Sequence, residues 1–564
     1  MCKYIFKIKA ILVVALASMA LVSCDDFLDK ELVGNPTEDD YYTTNYQLQT
    51  ALNATYDLLQ SDSFTNIEWW FGEACGDDVI DSDEGLSSDL GQLVNFRFSN
   101  NNSKILERWT TLYKGVHRAN QVIANIHKCE ITNTQYNTYK AIREIYGQAK
   151  FLRAFYYFGL VKTFGGVPIR PEVETVDNLV IPRSSLEECY AYIEKDLREA
   201  AVMLPNRYSG GDCGKAGAGA AVGLLMKVLM YEATNGTPSE KWEQCAQMGD
   251  YFVKGDPMTM AKMLDYPARY EGMDWDELRE SLWFKPKALN AGSDPYEGPD
   301  YEIAKLSTAY SLEYRDAVNN PLTYYEQFWI EGEFCKGSVF EIVFKESGDG
   351  TSGDTNEGGY IYDTLFSTST TMWANDERMN TIFGTDARRQ YVLGHHQTTP
   401  DMQNTEIGSG RNLPLKWYTP VKDRSTYGGD NGKNRRVMRY PEVVLTYAEA
   451  LNECGRRAEA LEALNSNKRV VNKIDNSTVL YIGGGYGYLR DQIWKERRIE
   501  LAFEWDRFWD IVRTGRAKEC LAELANSRSN KRGLYFRKGV NEIFPIPQNE
   551  IDISNGIVTQ NPGY

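Results

Sequence analysis

Residues 147–169 read GQAKFLRAFYYFGLVKTFGGVPI, and with the few residues before them they decide the fold. Ile142, Ile145, Ala149, Leu152, Tyr156 and Leu160 step by three and four, so they share one face of a helix. The tetrad Phe155-Tyr156-Tyr157-Phe158 offers a row of rings, which at helical spacing is core material rather than a ligand platform. Phe164-Gly165-Gly166-Val167-Pro168 stops the helix, because Gly and Pro punctuate regular structure. The same period continues outward in both directions. It runs over Tyr46–Leu59, and over Glu107–His127 through Trp109, Leu112, Tyr113, Val116, Ala119, Ile123 and Ile126. It returns in Leu186–Leu204, which ends at Pro205, in the small-residue stretch Ala216–Ala233, in Trp242–Phe252 and in a last long run, Tyr488–Thr514.

Tyr447–Val471 contains two helical stretches meeting near Cys454-Gly455, with Ala448, Ala450, Ala458, Ala460 and Leu464 at packing positions. It resembles one tetratricopeptide repeat, a pair of antiparallel helices with small residues where they touch. Between Lys254 and Arg439 the period fades; Gly, Asp, Tyr and Trp become frequent, and Val339–Phe344 alternates like a strand. The expected fold is mainly α: a tetratricopeptide-like helical scaffold over 46–253 and 440–515, a loop-rich insertion with short β strands over 254–439, and a C-terminal segment over 516–564. A long irregular stretch within a compact protein is usually functional.

The 564-residue chain carries a formal net charge of −17 and is 42% hydrophobic, ordinary for a globular body. Nucleic acid is a poor partner for such a charge balance, since a phosphate-tracking surface needs clustered Lys and Arg. The N-terminus has its own logic. Lys3, Lys7 and Lys9 precede the apolar run Ile11–Val22, the layout of an export signal over 1–23. The run is too short to span a bilayer, which takes about 20 apolar residues. Leu21-Val22-Ser23-Cys24 resembles the bacterial lipobox. That resemblance implies that Cys24 is acylated and becomes the first mature residue, tied to membrane through the polar tether 24–45; two or more acyl chains hold stably. Asp25 and Asp26 resemble the export signal of surface lipoproteins of Bacteroidetes. The other cysteines are widely spaced, without any C-x-x-C, so neither a zinc ribbon nor a small disulfide framework is indicated.

Several ordered segments resemble the SusD/RagB family. They are CDDFLD at Cys24–Asp29, RWTTLYKGVHRANQVIANI at Arg108–Ile126, the opening stretch, RYPEVVLTYAEALNE at Arg439–Glu453, ERRIELAFEWDRFWDIVRTG at Glu496–Gly515, and IFPIPQNEI with QNPGY at the end. The resemblance implies an outer-membrane, surface-exposed lipoprotein that performs no chemistry. It would bind oligosaccharide or polysaccharide, deliver it to a SusC-like TonB-dependent transporter and need no cofactor. These segments themselves read as scaffold. Glu504, Arg507, Asp510 and Arg513 recur at every third residue, which predicts an ion-pair ladder along one helix.

Sugar recognition needs aromatic planes for C–H faces, with amides, carboxylates or guanidinium groups for hydroxyls. Three non-helical clusters supply these. The first, 65–78, holds Trp69, Trp70 and Asp77; Asn101 lies in the polar stretch Ser99–Ser103 just beyond it. The second, 324–329, holds Tyr325 and Trp329. The third, 371–378, holds Trp373, Asn375 and Arg378. Each admits a packing role as well as a ligand role. Enzyme signatures are absent: no H-E-x-x-H accompanies His117, His127, His395 and His396, Gly214-Lys215-Ala216 lacks the hydroxyl of a phosphate loop, and Gly408-Ser409-Gly410 has the wrong spacing for a nucleophile elbow. With 79 acidic residues, nothing singles out a glycosidase pair. A surface glycosidase and a peptide- or glycoprotein-binding uptake lipoprotein are the alternative readings.

Overall fold

The computed structural model describes residues 41–81, 88–129, 136–175, 178–233, 239–282, 298–345, 372–394, 413–423, 432–471, 479–522 and 532–564. The export leader, Cys24 and the tether up to residue 40 lie outside the described residues, as do His395 and His396. No described helix is long and apolar enough to cross a membrane.

The first half of the scaffold is α1 (Asn45–Gln60), α2 (Asp62–Trp69), α3 (Asp89–Val94), α4 (Ser103–Asn125), α5 (Tyr136–Phe164), α6 (Leu186–Met203), α7 (Ala218–Glu232) and α8 (Glu240–Gly249). The second half is α9 (Tyr440–Glu453), α10 (Arg457–Val471), α11 (Tyr486–Glu500) and α12 (Arg507–Arg513). Local chemistry starts these helices where the sequence can cap them. Thr44 with Gln47 opens α1 and Ser185 with Glu188 opens α6, each pair satisfying otherwise orphaned backbone N–H groups.

The anticipated stripe of α5 is buried throughout: Ile142, Ala149, Leu152, Tyr156 and Leu160 are all fully inaccessible. Neighbouring helices pack in sequence order, α4 on α5, α5 on α6, α6 on α7 and α7 on α8. α8 then packs on α9, so the scaffold continues across the whole insertion as though it were not there. Two glycines permit the closest approaches. A Cβ on Gly115 would sit 2.5 Å from the Tyr156 ring, and one on Gly249 would sit 2.1 Å from that of Tyr447. Lys227 of α7 bridges Glu442 of α9 (2.8 Å) and Asp506 (2.9 Å), fixing the junction of the two halves.

The C-terminal segment seals the end of α5. The Phe544 N–H donates to the Thr163 carbonyl (2.7 Å), and Asn561 Nδ2 donates to the carbonyls of Phe164 (3.0 Å) and Phe544 (2.7 Å). The GGVPI stop and the C-terminal IFPIP and QNPGY segments are therefore one structural unit.

The described part of the insertion is built from short pieces. Antiparallel pairs join β1 (Val79–Asp81) to β3 (Met372–Ala374), β2 (Ser338–Ile342) to β6 (Arg435–Arg439), and β4 (Leu393–Gly394) to β5 (Leu413–Pro414). Buried ion pairs fasten it to the scaffold. Arg388 reaches Asp386 (2.8 Å), Glu496 (2.8 Å) and Glu500 (2.6 Å), while Arg439 meets Glu500 (3.0 Å) and Glu504 (2.5 Å). Charges so deeply buried persist only when paired and hydrogen-bonded, so each group here has several partners.

One expected element is broken. The run Tyr488–Thr514 is two helices, α11 and α12, separated at 501–506, where Phe503 (φ 61°) and Trp505 (φ 69°) adopt left-handed backbone. Tertiary contacts hold the break. Trp417 Nε1 donates to the Phe503 carbonyl (2.6 Å), the Trp505 N–H donates to Glu73 (3.1 Å), and the Trp505 carbonyl lies where a Cβ on Gly72 would be. Arg507, Asp510 and Arg513 do form a ladder on α12 (3.7 and 2.7 Å), but Glu504 sits in the break and pairs with Lys416 and Arg439 instead.

Candidate functional site

The first and third clusters, expected to be non-helical, are partly helical: residues 65–69 end α2, whose N-cap is Ser61, the helix then widens into a π turn over Trp70–Ala74, and Asp376–Phe383 is a helix capped by Asn375. Adjacent tryptophans on a helical backbone point about 100° apart. Trp69 goes inward at 3% exposure, its ring edge-on to Trp417 at 5.9 Å. Trp70 stays half-buried with the Lys104 ammonium 4.5 Å from its ring centre. Asp77 is fully buried and receives Arg378 (2.7 Å), Arg498 (2.9 Å) and Arg507 (2.7 Å). Burial alone would raise its pKa; the charges of Arg498 and Arg507 outweigh it and hold the carboxyl far below the usual range. Glu73 beside it goes the other way: burial, then the nearby Asp78 charge, raise its pKa well above normal.

The β1–β3 ribbon brings the third cluster to the first. Ile80 pairs with Trp373, whose side chain lies outside the described residues. Asn375 is buried; its N–H donates to the Asp78 carbonyl (2.8 Å) and its Nδ2 to the Asp77 carbonyl (3.2 Å). Its side-chain oxygen caps the following helix by accepting from the Arg378 N–H (3.4 Å), and Arg378 then reaches Asp77. Asp77, Asn375 and Arg378 thus form one assembly from segments some 300 positions apart (|i−j| 298 and 301).

The second cluster is two consecutive 3₁₀ turns, Glu326–Phe328 and Ile330–Gly332. Tyr324 is buried against Tyr314 and Phe328. Tyr325 and Trp329 are half-buried and pack edge-to-face with centroids 4.5 Å apart. Lys422 stands 5.6 Å from the Trp329 ring and pairs with Glu331 and with Asp423 (3.5 Å), so the aromatic pair is rimmed by a cation and its carboxylate partners. Phe328, Trp417, Phe503 and Trp505 enclose a cavity of about 30 Å³ with Lys416 and Glu504 beside it, room for a water rather than a sugar. Burial drives the Lys416 ammonium down to about 8 despite Glu504.

Of the residues named from sequence, the structure joins Asp77, Asn375 and Arg378, and it pairs Tyr325 with Trp329. It seats Trp69 on Trp417, leaves Trp70 half-buried, and places Asn101 in an exposed turn whose neighbour Asn100 donates to Gln548 (2.7 Å). Sequence reasoning missed Lys422, Glu331 and Trp417, which carry no motif. Among the described residues no group of three or more His, Cys, Asp or Glu could hold a metal ion. Asp77, ringed by three guanidinium groups, stays ionised and is no general acid.

The structure is thus a helical-repeat scaffold with a half-buried aromatic pair on a loop-built edge. The chain belongs to the SusD/RagB family. The SusD family model matches residues 344–564, and a second model, described as starch-binding associating with outer membrane, matches residues 26–230. A SusD-like protein of Bacteroides ovatus is 27% identical over 90% of this chain and 83% of its own length. SusD-like protein P38 of Formosa agariphila is 23% identical over 92% and 94%. Among solved structures, a laminarin-binding SusD-like protein superposes with a TM-score of 0.66 at 23% identity, covering 93% of this chain and 100% of that one. The surface glycan-binding protein A of Bacteroides thetaiotaomicron in complex with laminarihexaose also gives 0.66, at 20% identity over 92% and 100%.

Proposed function

We propose that the protein is a lipid-anchored, surface-exposed glycan-binding subunit that captures oligosaccharide and hands it to a SusC-like TonB-dependent transporter, breaking no bond. The observation that carries the reading is the half-buried Tyr325–Trp329 pair with Lys422 and Glu331 at its rim. It offers an apolar face for a sugar ring and a donor and an acceptor for its hydroxyls. Trp70 is a second accessible indole, and Trp373 and Asn101 remain candidate contacts. Family membership, the lipobox at Cys24 and the glycan ligands of two structural relatives support the same reading.

Affinity electrophoresis of the mature chain lacking Cys24, through gels holding a panel of polysaccharides, tests capture. Retardation by one polysaccharide class is expected, with the loss of retardation in Trp329→Ala locating the contact. Mobility unchanged in every gel defeats glycan capture. Transporter partnership is tested separately by pull-down of the acylated protein from membranes, where the absence of any outer-membrane barrel would refute delivery.

A further inference from the structure

Apart from the aromatic edge, a cavity of about 480 Å³ opens between α1, the 210–215 turn and the end of β2. That volume is in the range of small-ligand sites. Its floor is apolar: Leu59 and Ile342 are buried and the half-buried ring of Phe334 joins them. Its walls are held before any ligand arrives. The Tyr56 hydroxyl donates to Gln148 (3.0 Å) and accepts from the Ala216 N–H (3.0 Å), and Gln60 Nε2 donates to the Val343 carbonyl (2.6 Å).

Two backbone features single the cavity out. Phe334 has φ 51°, a left-handed conformation unfavourable for a bulky side chain. It is kept there by Glu341, which accepts its N–H (2.9 Å), and by Arg207, which donates to its carbonyl. Opposite, the turn SGGDCG is open: a Cβ on Gly210 or Gly211 would meet nothing within 4 Å, so a ligand can approach the main chain.

Charge selects the class of ligand. Each carboxylate of the lining is already matched by a cation of the protein: Asp57 by Arg118 (3.3 Å), Asp212 by Lys215 (2.8 Å) and Glu341 by Arg436 (3.6 Å). With every carboxylate and its cation already paired, the lining offers an ionic ligand no free counter-charge, whereas a neutral molecule rich in O–H donors meets acceptors over an apolar floor. We propose that this cavity is a second carbohydrate subsite, taking a neutral pyranose unit. The proposal rests on the glycan-capture reading and adds to it a separate place of contact and a preference for uncharged sugars.

Cys213, half-buried in the lining, is a built-in reporter, and Cys454, half-buried elsewhere, is its internal reference. The full mature chain lacking Cys24 is alkylated with a maleimide, with peptide masses followed over time, in the presence of neutral oligosaccharides or of an oligouronate. At a concentration twice the dissociation constant, a neutral oligosaccharide slows Cys213 about threefold and leaves Cys454 unchanged. Trp329→Ala keeps this protection, and the exposed double variant Asn53→Ala/Asp212→Ala loses it. An unchanged Cys213 rate in a protein still retarded by polysaccharide gels overturns the subsite alone. An unchanged rate with no retardation overturns the subsite and glycan capture together. Protection by the oligouronate only, or protection lost in Trp329→Ala, overturns the neutral, separate subsite.

Discussion

The Asp77 cluster and the Tyr325–Trp329 edge are both made of residues with glycan-binding chemistry, yet their surroundings are opposite. Around Asp77 every strong group has found a protein partner: three guanidinium groups converge on one buried carboxylate, and Asn375 is tied to the backbone on both sides of its amide. At the edge, two rings are left half-buried with Lys422 and its carboxylate partners beside them. The same side-chain types therefore act as a fastener where satisfied, and where left half-buried they carry the proposed recognition surface. Composition cannot distinguish these roles, because burial does.

The largest effect is expected of Asp77→Ala. It leaves Arg378, Arg498 and Arg507 short of their shared counter-ion, although Asp78 still faces two of them, and destabilisation of about 3–5 kcal/mol is expected in urea unfolding. A loss under about 1 kcal/mol would remove Asp77 from the role of fastener. Gly115→Leu is next. A side chain would enter the Tyr156 ring, and overpacking of about 1–3 kcal/mol should lower Tm without altering which polysaccharide is retained.

Trp329→Ala should do the reverse. Loss of a stacking face worth about 0.5–1.5 kcal/mol weakens glycan retention by up to about tenfold, at nearly unchanged Tm. Equal falls in stability and binding would place Trp329 with the core. The smallest effect sharpens the boundary between the regions. Glu333 follows the 3₁₀ turns; burial, with Glu341 adding to it, pushes its carboxyl up to about 7, although Arg436 opposes. A carboxyl raised in the folded state stays protonated there while the unfolded chain ionises, so stability falls as pH rises from about 4.5 to about 7. Glu333→Gln should flatten that slope in urea titrations at several pH values; a slope left intact would assign the pH dependence to another group, with Glu232, also raised to about 7, the next to replace.

Legibility followed the range of the forces involved. The α5 stripe and its Gly-Pro stop are local, and they were readable because helical period and backbone punctuation act within a few residues. The α9–α10 pair was readable for the same reason. The split between α11 and α12 was not, because it depends on Trp417, Glu73 and Gly72 arriving from elsewhere in the chain. Which of Trp69 and Trp70 turns inward was equally open, since two adjacent indoles look alike until Trp417 covers one. Lys422 and Glu331 had no signature: they are ordinary surface charges that matter only through their position beside Trp329.

The order of residues was enough for a mainly helical scaffold, the family and the chemistry of three candidate clusters. It took the folded chain to bring α8 onto α9, to bind Asp77, Asn375 and Arg378 together, and to leave Tyr325 and Trp329 half-buried. The physical reason is that helical period and capping are set by neighbours in the chain, whereas burial, ion pairing and exposure are set by whatever the fold brings alongside.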